Sequence, residues 1–296
     1  GRLAGALRAL GRPGMAEDIV NTMKSADYVV QETSPFDVIP VALPGGRPES
    51  PYVQRLRLTW AQMRDVVIEH LPAQGLPPTD ISAALNDVEA RYVSDAYHSL
   101  SIEGYRVTPE LIERVRSGRW DPEGADKGAR DAMAAKGYFE AHTEVKEFIA
   151  RLLKSSSPRH DVRDALGSWY RARFSPSVQA GLLKPGDLAG WRNDQVYIRG
   201  AMHVPLSKEA VRDCMPVLFE LIAAEPHPGV RAVLGHFFFV YIHPYMDGNG
   251  RLGRFLMNAM LVTGGYVWTV VPVQQRKPYM EALEKASTGH DIQGFA

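Results

Sequence analysis

Residues 227–265 read HPGVRAVLGHFFFVYIHPYMDGNGRLGRFLMNAMLVTGG. The run from 228 to 242 is apolar around nearly its whole circumference, which predicts a helix buried at the centre of the protein. A second strongly apolar helix resumes at Asn249. Between the two lies a loop that is neither apolar nor plain. His243, Asp247, Asn249, Arg251 and Arg254 gather there among the glycines Gly248, Gly250 and Gly253. Polar chemistry set between two core helices needs a reason.

Outward from this pair the pattern stays helical. Helices are expected over 53–71, over 79–104 with Thr79 or Asp80 as N-cap and Gly104 just past the end, and over 108–118 with Thr108 as cap. Residues 128–156 form one long helix or two, and 161–174, 207–225 and 277–287 are further helices. One segment breaks the rhythm. QVYIRGAMHVP (195–205) is β-branched and aromatic with Gly200 at its middle, which predicts a β-hairpin. The count is about nine helices and one hairpin, an all-α fold rather than α/β.

The first fifty residues differ from the rest. Two short helices flank Gly-Arg-Pro-Gly, ADYVVQE is a candidate strand, and SPFDVIPVALPGGRPESP is an extended linker. This separates a small N-terminal arm (1–50) from a main body (51–296). The arm has the outline of a winged-helix fragment but carries no basic stripe. The whole chain of 296 residues balances 34 Lys+Arg against 34 Asp+Glu, which argues against nucleic acid or a membrane surface as partner. The single Cys214 lies in an apolar helix and reads as a core thiol. No run approaches a membrane span and no signal peptide is visible, so a soluble, cytoplasmic protein is expected. Gly1 in place of Met suggests a trimmed N-terminus. The packing after KPYMEALEKAS looks unfinished, which suggests a missing C-terminal portion.

The loop can be read residue by residue. Gly248 and Gly250 allow the backbone around Asn249 to turn its N–H groups inward, at a helix N-terminus that attracts anions. Arg251 and Arg254 share a face of the new helix and suit more than one phosphate. Asp247 beside phosphates suits Mg²⁺, which takes one or two carboxylates plus phosphate oxygens. His243 closes the first helix and can take a proton near neutral pH. Other readings compete. G-x-G-x-x-G also fits a dinucleotide fingerprint, but no βαβ unit surrounds it. A kinase glycine loop lacks its partner motifs. His236 and His243 lie two helical turns apart, yet no third zinc ligand is apparent, so a packed His236 is preferred. A bland helix–turn–helix would explain the glycines but not the gathered polar residues.

The stretch 243–254 resembles the Fic family signature H-x-F-x-[D/E]-G-N-G-R-x-x-R, with Tyr245 where Phe is usual. The resemblance extends over roughly residues 80–296. It implies a mainly helical fold and transfer of AMP from ATP to a Ser, Thr or Tyr hydroxyl of a target protein. By that likeness His243 is the general base and Asp247 the Mg²⁺ ligand. Gly248, Asn249 and Gly250 hold the α-phosphate, and Arg251 and Arg254 the others. Gly250 stands where the kinase-like Doc branch has Lys, which favours nucleotidyl transfer.

Ser99-Leu-Ser-Ile-Glu103-Gly104 resembles the family's inhibitory motif [S/T]-x-x-x-E-[G/N]. That implies pairing of Glu103 with Arg254, although a solvated Glu103 at a helix end is the simpler reading of the residues alone. The same resemblance makes 195–205 a flap that pairs with the target's backbone and places Val196 near the base. Met280, Leu283 and Ser287 share one helix face that is either core or adenine pocket. The expectation is an autoinhibited adenylyltransferase using Mg²⁺ and ATP, able to modify itself and to form homodimers. The alternatives are an enzyme that removes AMP through Glu103, or an inactive nucleotide-binding or toxin–antitoxin-like interaction protein.

Overall fold

A computed structural model of the chain describes residues 1–26, 30, 32, 49–72, 77–120, 129–155 and 162–296. Among these residues there are eleven α-helices and no strand. The chain divides into two compact units, Gly1–Pro51 and Tyr52–Ala296. In the first, α1 (Arg2–Ala9) and α2 (Pro13–Ser25) bury Ala4, Ala16 and Val20 between them. Most of the expected strand at 26–32 and of the linker at 34–51 lies outside the described residues.

The second unit begins within α3 (Pro51–His70) and continues with α4 (Ile81–Ile102), α5 (Pro109–Arg116), α6 (Ala129–Lys154) and α7 (Arg163–Gln179). It ends with α8 (Lys208–Ala224), α9 (Pro228–Ile242), α10 (Asn249–Thr263) and α11 (Arg276–Gly289). Asp80, not Thr79, caps α4 by accepting from Ala83 N–H at 2.9 Å; Thr108 and Ser207 cap α5 and α8. Residues 129–154 form a single helix. Helix α7 runs past the expected end at Phe174, carrying the buried Pro176 within its last turns.

α9 and α10 pack against each other at the centre, and α4, α6, α7 and α8 surround them. Nearly every residue of both is buried, as an apolar circumference requires. Gly253 permits the close approach: a Cβ there would sit 3.0 Å from Val240 and 3.3 Å from His236. α3 covers α9 through Trp60, stacked on Phe238 at 5.6 Å. Cys214 is buried, and burial pushes its thiol up to about 12, so it is an unreactive core residue. No helix among the described residues is long and apolar enough to cross a membrane.

The hairpin expected over 195–205 is not a hairpin. A turn closes from Ala201 N–H to Ile198 O at 3.1 Å, with Gly200 at φ +80°. Side chains stand in for a ladder. Gln195 Nε2 donates to Pro205 O at 2.9 Å, and Glu284 of α11 accepts from the N–H groups of Met202 and His203 at 2.9 and 3.0 Å. The β-propensity of Val196, Tyr197 and Ile198 therefore yields an extended loop, because the backbone donors of the second arm are taken by α11 rather than by the first arm.

The α6–α7 crossing is also glycine-dependent. A Cβ on Gly137 would collide with the main-chain oxygen of Arg173. Backbone cannot move aside as a side chain can, so Gly137→Ala should destabilise the second unit by about 1–3 kcal/mol. The thermal midpoint should fall by roughly 2–4 °C per kcal/mol lost. An unchanged midpoint would mean that the helices separate freely at this crossing.

Candidate active site

His243 ends α9 in the left-handed region, at φ 56° and ψ 62°, unusual for a non-glycine residue. Its N–H donates to Phe239 O at 3.0 Å, closing the helix. Nδ1 lies 3.1 Å from Val240 O, which assigns the proton to Nδ1 and leaves Nε2 as the ring's acceptor. Burial pushes the imidazole below its ordinary value, with the Val240 carbonyl opposing and the charge of Arg192 adding. The ring is thus neutral near pH 7 and able to accept a proton.

Arg192 holds this strained turn. It is buried, and its Nε donates to His243 O at 2.7 Å while its own N–H donates to Pro244 O at 2.9 Å. Its Nη1 donates to Asp194 O at 2.7 Å and its Nη2 to Leu206 O. One guanidinium therefore ties both ends of the 193–206 loop to the candidate base. His203 adds a further tie, with Nε2 2.9 Å from Tyr241 O and its ring stacked on Tyr241.

The loop after His243 is closed by Asn249. Its Oδ1 accepts from Tyr245 N–H and its Nδ2 donates to Tyr245 O, both at 2.9 Å. Both polar ends of this buried side chain are thus used inside the loop, leaving only its backbone amide to face an anion. Tyr245, in place of the usual Phe, is buried and stacks on Tyr170 with centroids 3.8 Å apart. Gly248 takes φ +88° and caps α10, but Gly250 is helical, so only one of the two glycines supplies a positive φ. The first intrahelical bond runs from Leu252 N–H to Gly248 O at 3.0 Å. The amides of Asn249, Gly250 and Arg251 precede it, forming the positive end of the helix.

Two ion pairs neutralise this end. Arg251, buried, donates through Nη2 to Asp247 Oδ1 at 2.7 Å. Burial resists the charge on Asp247, but Arg251 and the Gly248 amide outweigh it and hold the carboxyl below the usual range. Arg254 donates through Nη2 to Glu103 Oε1 at 2.8 Å and to Ser99 O at 3.0 Å, and through Nε to Ser99 Oγ at 2.9 Å. The Glu103 carboxylate also overlies Gly250, where a Cβ would collide with Oε1. Gly250 thus leaves room for this carboxylate above the helix end. Burial resists the charge on Glu103 as well, and Arg254 and Arg251 overcome it.

α4 is anchored behind this contact. One turn before Ser99, the buried Asp95 accepts from Tyr138 Oη at 2.6 Å, and burial pushes its carboxyl up to about 6. Gly104, at φ +85°, ends the helix. Arg276 Nε donates to Ile102 O at 2.7 Å, and Val273 N–H donates to His98 Nδ1 at 3.1 Å.

Residues 177–261 match the profile of the Fic/DOC family. The chain carries a domain of that family. It is similar to proteins named Protein adenylyltransferase Fic, at 30% identity over 212 residues in Drosophila mojavensis and 29% over 235 residues in Nematostella vectensis. These alignments cover 69% and 76% of the chain but 38% and 48% of the relatives, so the chain spans less than half their length. Among solved structures, Fic-1 (residues 134–508) from C. elegans superposes with TM-score 0.58 at 21% identity, covering 82% of this chain and 67% of that one. A Fic domain containing signaling protein from Bacteroides thetaiotaomicron gives 0.55 at 16%, covering 82% and 90%. The mainly helical fold is the Fic fold.

Val196, Met280, Leu283 and Ser287 are the residues expected to line an adenine pocket. Val196 is half-buried on the 193–206 loop. On α11, Ala282 and Ala286 face the core and Leu283 packs against it, while Met280 and Ser287 are half-buried. The α11 residue that reaches the Fic motif is Tyr279, whose hydroxyl lies 3.4 Å from Arg254 Nη1 and 2.9 Å from His236 Nε2. His236 is fully buried against that hydroxyl, and burial holds its ring at about 3. Tyr279 carried no signal in sequence, because its partners Arg254 and His236 lie on other helices and meet it only through packing.

Among the described residues there is no cluster of three or more His, Cys, Asp or Glu able to cage a metal. Mg²⁺ that arrives with a polyphosphate needs only one or two carboxylates. Asp247 fits: its side chain is 58% exposed, charged, and beside the α10 N-terminus.

Proposed function

We propose that this chain is a protein adenylyltransferase, transferring AMP from ATP to a Ser, Thr or Tyr hydroxyl of a target protein or of itself. The observation that carries the reading is a neutral His243 with Nε2 as its acceptor, held beside a helix N-terminus flanked by Arg251, Arg254 and Asp247. The names of the relatives support the same class of reaction.

In the reaction, the target hydroxyl loses its proton to His243 Nε2 as its oxygen attacks the α-phosphorus. The bond from the α-phosphorus to the bridging oxygen breaks, and pyrophosphate departs. The amides of Asn249, Gly250 and Arg251 receive charge at the phosphates, and Arg251 and Arg254 neutralise the departing pair. Asp247 would hold Mg²⁺, which supplies charge neutralisation of the phosphates. The 193–206 loop, tied to His243 by Arg192, presents the target segment to the base.

Glu103 restrains this activity. It occupies Arg254 and overlies Gly250, so the arginine is withheld from the nucleotide. The runner-up, removal of AMP with Glu103 positioning a water, is favoured by the half-buried placement of that carboxylate above the same helix end.

Incubation with α-labelled and γ-labelled ATP separates the readings. Label on protein from α-labelled ATP alone is expected, and EDTA should abolish it. Label from γ alone would make the chain a kinase. Label from neither, with AMP released from a modified protein, would make it a hydrolase of that bond.

A further inference from the structure

Glu103 and Ser99 account for Arg254, but Arg251 has a second neighbour from the same segment. The ring of Tyr105 lies 5.1 Å from the Arg251 guanidinium carbon, and the guanidiniums of Arg130 and Arg173 stand over the same ring at 5.3 and 6.0 Å. Arg251 and Arg173 are only 1% and 3% exposed. Among the described residues, Nε and Nη1 of Arg251 and Nε of Arg173 have no hydrogen-bond partner. Buried guanidinium donors without acceptors are costly, and a ring face is a weaker partner than a phosphate oxygen. The crowding tells on Arg173, pushed down to about 9 by burial and by Arg251. These arginines are arranged for an anion and are covered by an aromatic ring.

The main chain of Tyr105 is tied to the Glu103 turn. Its N–H donates to Leu100 O at 3.1 Å, across a Gly104 at φ +85° whose N–H donates to Ser101 O at 3.0 Å. This is the doubly bonded helix ending that locks the two residues past a helix to its last turn. A displacement of that turn that lifts Glu103 from Arg254 carries the main chain of Tyr105 with it.

We infer that Tyr105 is a second prong of the restraint: its ring holds the face of Arg251 that a phosphate group takes, and it leaves together with Glu103. This rests on the adenylyltransferase reading for its meaning but not for its test. Inorganic pyrophosphate is the probe, titrated calorimetrically into the full chain. Tyr105→Ala should bind pyrophosphate about tenfold more tightly than wild type, and Tyr105→Phe, which keeps the ring, within about threefold of it. Equal or weaker binding by a folded Tyr105→Ala overturns the inference. A second measurement needs no variant. Saturating pyrophosphate should speed amide hydrogen exchange at Tyr105 in wild type, and unchanged exchange overturns the inference. AMP transfer by Glu103→Gly is scored in parallel. If it is absent while the pyrophosphate results hold, the transferase reading falls and the role of Tyr105 stands. If it is present while they fail, the reverse follows.

Discussion

Glu103→Gly is expected to raise AMP transfer by about 10- to 100-fold. The substitution removes a charge-assisted hydrogen bond from Arg254 Nη2, 2.8 Å long, with the arginine fully buried. Such bonds contribute about 1.5–3 kcal/mol, and each 1.4 kcal/mol is tenfold in the fraction of chains with Arg254 released. Ser99 keeps Arg254 in place through its hydroxyl and carbonyl, so the arginine gains freedom of charge without losing its position. The loss also clears the space above Gly250. Because Arg254 and Arg251 hold Glu103 below the usual carboxylate range, it stays ionised through neutral pH. The contact is present above that lowered value and is lost only as pH falls through it. The measurement is label incorporated from α-labelled ATP, wild type against variant at equal concentration. Equal rates would remove Glu103 from regulation.

His243→Ala in the Glu103→Gly background should lower transfer by about 10²–10⁴-fold, the usual contribution of a positioned general base. Nucleotide affinity should hold, because His243 is not one of the groups proposed to hold phosphate. Position 243 is left-handed, so alanine also strains the turn; His243→Asn, a residue that tolerates this conformation, separates lost chemistry from lost geometry. Both variants should be inactive. The base works deprotonated, and burial holds its pKa below the ordinary imidazole value. Transfer should therefore rise with pH through that lowered value and be flat across neutrality. A rate still climbing well above neutral pH would assign the essential base elsewhere.

The fold was legible where local pattern and tertiary role coincide. α9 and α10 are apolar around nearly their whole circumference, which only a central position satisfies, and Asp80, Thr108 and Ser207 are caps that act within their own helices. The hairpin misread shows the limit. Its strand-like residues are present, but Glu284, about eighty positions on, takes the donors a ladder needs. In the site, the motif residues were visible as a run, yet their division of labour was not. Asn249 closes its own loop, and Gly250 makes room for a carboxylate from α4. Arg192, Tyr279 and Tyr105 left no sequence signal, since each acts through a partner brought close only by packing.

The last turn of α4 is fastened from behind, by Arg276 on Ile102 O and by Val273 on His98. Withdrawing that turn breaks these bonds together with those at the arginines, so opening is a collective rearrangement rather than a rotamer flip. Such events run over microseconds to seconds, against picoseconds to nanoseconds for a side chain alone. On the proposed adenylyltransferase reading, access to Arg254 follows the slower of these two clocks.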